Sequence, residues 1–259
     1  MSAVRDLLVS NRESGRGTLV GYFPAGYPNV SASVDALVAM AQNGCDILEI
    51  GVPYSDPVMD GVVIQEATLE ALENGFKLKD LFEVVRGVRE KVETPLLVMS
   101  YFNPILRYGV DKFASDLKAA GGQGIITPDL IPDEAQEWLK ASTESELDRV
   151  FLVAPSSSDA RIESTAAASS GFVYSVSTMG ITGERAKLDQ LARSVVSRVK
   201  SLGTEPTCVG VGISTPDQVR EVNSYADGAI VGTAFVKAYQ AGGQEALVAK
   251  TQELASGLG

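Results

Sequence analysis

Asp46-Ile47-Leu48-Glu49-Ile50-Gly51 leads through Val52-Pro53-Tyr54-Ser55-Asp56-Pro57-Val58-Met59-Asp60-Gly61 into the apolar, helix-spaced segment Val62 to Leu72. The first six residues read as a short strand whose alternation puts Ile47, Glu49 and Gly51 on one face and Leu48 and Ile50 on the other. Two prolines and two aspartates then make a stiff polar loop ending at Asp60-Gly61. Strand, loop and helix together form one β/α unit.

The same unit recurs along the chain. β-rich runs at Thr18 to Phe23, Asp46 to Gly51, Pro95 to Met99, Gly124 to Ile126, Arg149 to Val153, Phe172 to Val176, Thr207 to Val211 and Asp227 to Val231 alternate with helix-spaced sequence. That pattern predicts a parallel (β/α)8 TIM barrel, a fold of about 250 residues, and the chain has 259. A doubly wound sheet fits less well: it calls for fewer strands and a phosphate fingerprint after the first, which Gly21-Tyr22-Phe23-Pro24-Ala25-Gly26 is not. Helices over Ser31 to Asn43 and Val62 to Glu73 stop at Asn43-Gly44 and Asn74-Gly75. Leu78 to Lys91 leaves room for an extra helix between strands two and three. With no linker and no fixed-period repeat, residues 1–259 are expected to form a single domain.

Composition narrows the function. Lys plus Arg is 22 against 33 for Asp plus Glu, a net charge of −11, which argues against nucleic acid or anionic lipid as a partner. Any anionic ligand must then be held locally by backbone N–H groups. Cys45 and Cys208 lie in or beside apolar runs and read as small buried thiols, with no metal spacing. No apolar run approaches the ~18 residues of a membrane span, and Met1 to Ser10 lacks a signal-peptide core, so a cytoplasmic location is expected. There is no histidine, which leaves carboxylates, Tyr, Cys or Lys for proton chemistry.

In a barrel of this kind chemistry sits at the C-terminal strand ends. Glu49 is a carboxylate in mid-strand among aliphatic neighbours, where desolvation raises its pKa toward the range useful for proton transfer. Asp60 is a second carboxylate above the same strand end, although its type and position also fit a helix N-cap. No lysine falls on or just after a strand, which sets aside a Schiff-base aldolase, and the rim has too few ligands for a metal-dependent one. Strands seven and eight end alike in Val209-Gly210-Val211-Gly212-Ile213-Ser214 and Ile230-Val231-Gly232-Thr233-Ala234, the usual place for a phosphate in this fold. The long polar connection Ser175 to Arg185 has the composition of a lid, and equally of a surface loop.

With these residues placed, nearly the whole chain resembles the tryptophan synthase alpha chain family. Its most specific marks are Leu48-Glu49-Ile50-Gly51-Val52-Pro53-Tyr54-Ser55-Asp56-Pro57 with Asp60-Gly61 and Gln65, and the loop Gly180-Ile181-Thr182-Gly183. The resemblance implies retro-aldol cleavage of indole-3-glycerol phosphate to indole and glyceraldehyde 3-phosphate. On that basis Glu49 protonates indole carbon 3 and removes the glycerol hydroxyl proton, and Asp60 meets the charge at the indole N–H. Thr182 orients Asp60, Tyr174 touches the Glu49 side, and Tyr22, Tyr101 and Ile126 line the indole slot. Gly183, Gly212, Gly232 and Thr233 hold the phosphate. The resemblance further implies no cofactor in this chain and a pyridoxal-phosphate beta chain as partner, two alpha with two beta, faced by Pro53 and Asp56. Val62, where a proline often follows Asp60-Gly61, and Tyr27, at a place acidic in some members, depart from the family pattern.

Two other readings compete with this lyase. A non-catalytic, phosphate-binding activator of the beta chain would not need both carboxylates. A ring-closing synthase of the same pathway would need a strand-end lysine.

Overall fold

The computed structural model describes residues 2–176, 185–203 and 205–259. Strands β1 (Leu19–Pro24), β2 (Ile47–Gly51), β3 (Leu96–Met99), β4 (Gly124–Thr127), β5 (Asp148–Val153), β6 (Val173–Val176), β7 (Thr207–Gly210) and β8 (Gly228–Val231) close into one parallel barrel in sequence order. β1 and β8 pair through Leu19 with Ala229 and Val20 with Ile230. The predicted TIM barrel is the fold.

The helices among the described residues are α1 (Ala3–Glu13), α2 (Val30–Gln42), α3 (Val62–Glu73), α4 (Asp80–Arg89), α5 (Phe102–Tyr108), α6 (Val110–Ala120), α7 (Gln136–Glu144), α8 (Asp159–Ala168), α9 (Arg185–Leu202), α10 (Pro216–Asn223) and α11 (Thr233–Ala255). α4 is the extra helix expected between β2 and β3. The connection from β3 to β4 also carries a pair, α5 and α6, which the sequence reading did not separate. Gly109 lies between them at φ 97, a conformation that glycine adopts without strain and that turns the chain sharply there.

Alternation along the strands sorts two apolar layers. Val20, Ile47, Leu97, Ile126, Val150, Phe172, Cys208 and Ile230 fill the inside, while Leu48, Ile50, Val98, Ile125 and Phe151 pack outward against the helices. Val4 and Leu8 of α1 join the inner cluster from below. The short helix ahead of β1 is therefore the floor of the barrel, a role invisible in a segment read only for signal-peptide character.

That floor repeats a device. The first or second amides of alternate strands are taken by side chains from the segment leading into the next strand: Leu19 N–H by Asp46 at 2.9 Å, Leu96 by Gln123 at 2.8 Å, Arg149 by Ser170 at 3.0 Å and Thr207 by Asp227 at 2.9 Å. Backbone donors at the closed end are thus satisfied without water. The open end is left to the loops.

Candidate active site

Glu49 stands at the middle of β2, in register with Tyr22 on β1 and Leu97 on β3. Its alternation partners Ile47 and Gly51 fall on the same side, so the carboxylate enters the barrel just above the apolar filling. It is 1% exposed, and its Oε2 has no hydrogen-bond partner among the described residues. Burial, and then the charge of Asp60, push its pKa up to about 8. A carboxyl in this state is a proton donor at neutral pH and becomes a strong acceptor once it has donated.

Asp60 reaches the same space from the loop. The structure corrects the N-cap reading: Gly61 is the N-cap of α3, with no side-chain cap hydrogen bond. The Asp60 carboxylate is free of that duty, and desolvation raises its pKa to about 6. At neutral pH this group is ionised while Glu49 is mostly protonated. Two carboxyls held apart in this way divide the acid and base roles.

Tyrosines complete the mouth. Tyr22 is buried, and burial followed by the charges of Asp60 and Glu49 drives its hydroxyl well above the ordinary range, keeping it a neutral hydrogen-bonding phenol. A Cβ on Gly51 would sit 2.1 Å from the Tyr22 hydroxyl, so glycine is what lets this ring lie across the end of β2. Tyr174, on β6, is likewise raised by burial and by Glu49, and a Cβ on Gly210 would meet its hydroxyl at 2.7 Å. Ile126 belongs to the inner apolar cluster, with Tyr174 packed against that cluster.

Tyr101 does more than offer a wall. It is buried at the end of β3, stacks at 5.1 Å on Tyr54, and its hydroxyl accepts the Met59 N–H at 2.8 Å. Gln65, in α3, donates its amide to the carbonyls of Asp60 at 2.8 Å and Pro57 at 3.3 Å. The sequence marked Gln65 as part of a motif without giving it a task.

The rim above β7 and β8 differs between its two helices. α10 starts with a full capping box, Thr215 with Gln218, and the Gln218 side chain also takes the Ser214 N–H at 2.7 Å. α11 starts at Gly232 with no side-chain cap hydrogen bond. Its first turn, at Gly232 and the exposed Thr233, leaves the positive end of the helix to an outside anion. Gly212 is at φ +67 with open space where a Cβ would stand. Thr182 and Gly183 lie outside the described residues.

Of the residues expected to face a partner, Asp56 is exposed and Pro53 is buried within the chain. Val58 on the same loop, at 78% exposure, and Val62 at the start of α3, at 57%, supply apolar surface.

The family model described as tryptophan synthase alpha chain matches residues 8–258. The chain is a member of that family. A tryptophan synthase alpha chain of Leifsonia xyli is 56% identical over 99% of this chain and 98% of its own, and one from Thermobifida fusca is 53% identical over 91% and 88%. A structure of Mycobacterium tuberculosis tryptophan synthase superposes with TM-score 0.94 at 50% identity, covering 99% of this chain and 98% of that one. An alpha-subunit structure from Pyrococcus furiosus, 35% identical over 92% and 98%, gives 0.84. Tryptophan synthase alpha chains are carbon–carbon lyases of tryptophan biosynthesis that cleave indole-3-glycerol phosphate and work with a beta chain. The alpha chain itself is not a pyridoxal-phosphate protein.

Proposed function

We propose that Glu49 and Asp60 carry the cleavage of indole-3-glycerol phosphate in this chain. Glu49, protonated, gives its proton to indole carbon 3, which places a positive charge on the ring. Asp60, ionised, stabilises that charge at the indole N–H. Glu49, now a carboxylate, takes the proton of the glycerol hydroxyl next to the scissile bond. The oxygen lone pair becomes the aldehyde carbonyl, the carbon–carbon electrons return to the ring, and indole and glyceraldehyde 3-phosphate leave. Glu49 ends protonated, so the cycle consumes no net proton.

The remaining roles are those that the resemblance to the family implies. Tyr22, Tyr174, Tyr101 and Ile126 wall the indole slot with mostly apolar surface. Gly212, Gly232 and Thr233 offer backbone N–H groups to the phosphate, joined by Gly183, while Thr182 orients Asp60. Asp56, with the apolar loop side chains beside it, faces the beta chain. Pyridoxal phosphate then resides in that beta chain, in a cytoplasmic assembly of two alpha and two beta chains, with residues 1–259 here forming one domain.

The observation that carries this reading is a buried carboxyl without a hydrogen-bond partner on one of its oxygens, next to a second desolvated carboxyl. A structural activator would have no use for it: such a group costs the fold stability, and perturbed carboxyls of this kind cluster at functional sites. The test is indole release from indole-3-glycerol phosphate, with and without beta chain. The intact chain is expected to turn over and Glu49→Gln to be inactive with unchanged phosphate-ligand affinity. Indole production by Glu49→Gln at a rate near the parent's would overturn the assignment.

A further inference from the structure

We propose that Gln65 is a positioning residue for the lyase reaction, acting by clamping the turn that carries Asp60. This rests on the assignment of Asp60 as a reacting group. The turn runs from Pro57 to Asp60 and is closed by the Asp60 N–H donating to the Pro57 carbonyl at 3.1 Å. The amide of Gln65 donates to the carbonyls at both ends of it, 3.3 Å to Pro57 and 2.8 Å to Asp60. A side-chain amide has two N–H donors, and both are engaged here. Between those ends the Met59 N–H is held by the Tyr101 hydroxyl. The turn is thus fastened from α3 on one side and from the end of β3 on the other.

The clamp explains why Asp60 does not fall into the N-cap position that its sequence place suggests. With its carbonyl drawn toward Gln65, helix entry is taken over by Gly61, whose own carbonyl accepts the Ile64 and Gln65 N–H groups at 2.9 and 3.0 Å. The Asp60 carboxylate is left in the pocket, where its charge acts on Glu49, Tyr22, Tyr101 and Tyr174. Position matters more than affinity at such a group, because a displacement of about 1 Å at a reacting atom costs on the order of a hundredfold in rate.

Gln65→Met keeps length and bulk and removes both donors. Assayed with saturating beta chain, it is expected to lower kcat about tenfold or more with little change in KM, a split that marks loss of an interaction made in the transition state. Its acidic limb in the pH–rate profile is expected to shift, since Asp60 then sits in a different environment. In Gln65→Glu, a carboxylate faces both carbonyls, and turnover is expected to be no faster than in Gln65→Met wherever Asp60 is ionised. Asp60→Asn and the Asp60→Asn/Gln65→Met double variant complete the set, and the double variant is expected to be no slower than Asp60→Asn alone.

The outcomes separate cleanly. If Asp60→Asn is slow while Gln65→Met keeps parental kcat and pH profile, the clamp is wrong and Asp60 stands. Parental rates in Asp60→Asn overturn the assignment of Asp60 itself. A Gln65→Met defect that multiplies with that of Asp60→Asn, or that is seen at limiting but not at saturating beta chain, places Gln65 in fold or partner binding and overturns the proposal.

Discussion

The two ends of this barrel treat buried carboxylates in opposite ways. At the closed end Asp227, whose side chain is 1% exposed, is met by Arg12 at 3.2 Å and Lys200 at 3.4 Å and caps the Thr207 amide. At the open end Glu49 is as deeply buried, and among the described residues it has no cation beside it and leaves an oxygen without a hydrogen bond. The same functional group is a fastener in one place and a reagent in the other. Burial alone marks neither; partners decide which.

Substitutions at each end sharpen the contrast. The largest effect is expected for Glu49→Gln, with indole release falling by about 10³-fold or more, at the strong end of what one acid–base group contributes. Asp60→Asn should cost about 10²-fold. In the parent, kcat/KM should rise through about pH 6 as Asp60 ionises and fall through about pH 8 as Glu49 loses its proton. The acidic limb should vanish in Asp60→Asn. Asp227→Ala inverts the picture: it should lose about 3 kcal/mol in denaturant unfolding, because two cations and an amide lose their partner, while turnover per folded molecule is unchanged. A fall in turnover at full folding would show that the floor is coupled to the mouth.

Stability against pH gives a signed effect. A carboxyl raised from 4.5 to about 8 on folding carries no ionisation penalty below 4.5, and stability falls as the pH climbs from there through 8. Asp60 does the same between 3.8 and about 6. Glu49→Gln should therefore be more stable than the parent at about pH 9, by up to about 5 kcal/mol, with the gap closing toward about pH 4. The smallest change is expected for Arg16→Met at the floor, where a half-exposed pair with Asp46 contributes less than about 1 kcal/mol.

Much of this was legible before the fold was seen. Each strand announced itself through β-branched and aliphatic runs, and Glu49 stood out because strands seldom carry a buried acid. Where sequence fell short, a path through space was missing. Asp60 looked like a cap because caps are read from type and position, whereas Gly61 takes the cap in the fold and Gln65 holds the Asp60 carbonyl. Tyr101 could be placed at a strand end but not joined to Met59, forty-two residues earlier in sequence. The α5–α6 break depends on one glycine, Gly109. α1 carries its floor-forming role in Val4 and Leu8, whose spacing says helix without saying what it covers.

A reagent and a fastener should titrate differently, and one group can be watched directly. With ¹³C label in the Glu49 carboxyl, resolved by comparison with Glu49→Gln, the chemical shift followed from about pH 4 to about pH 10 should show a midpoint near 8. A midpoint near the ordinary glutamate value of about 4.3 would mean the side chain is hydrated or paired and would remove the acid from the mechanism.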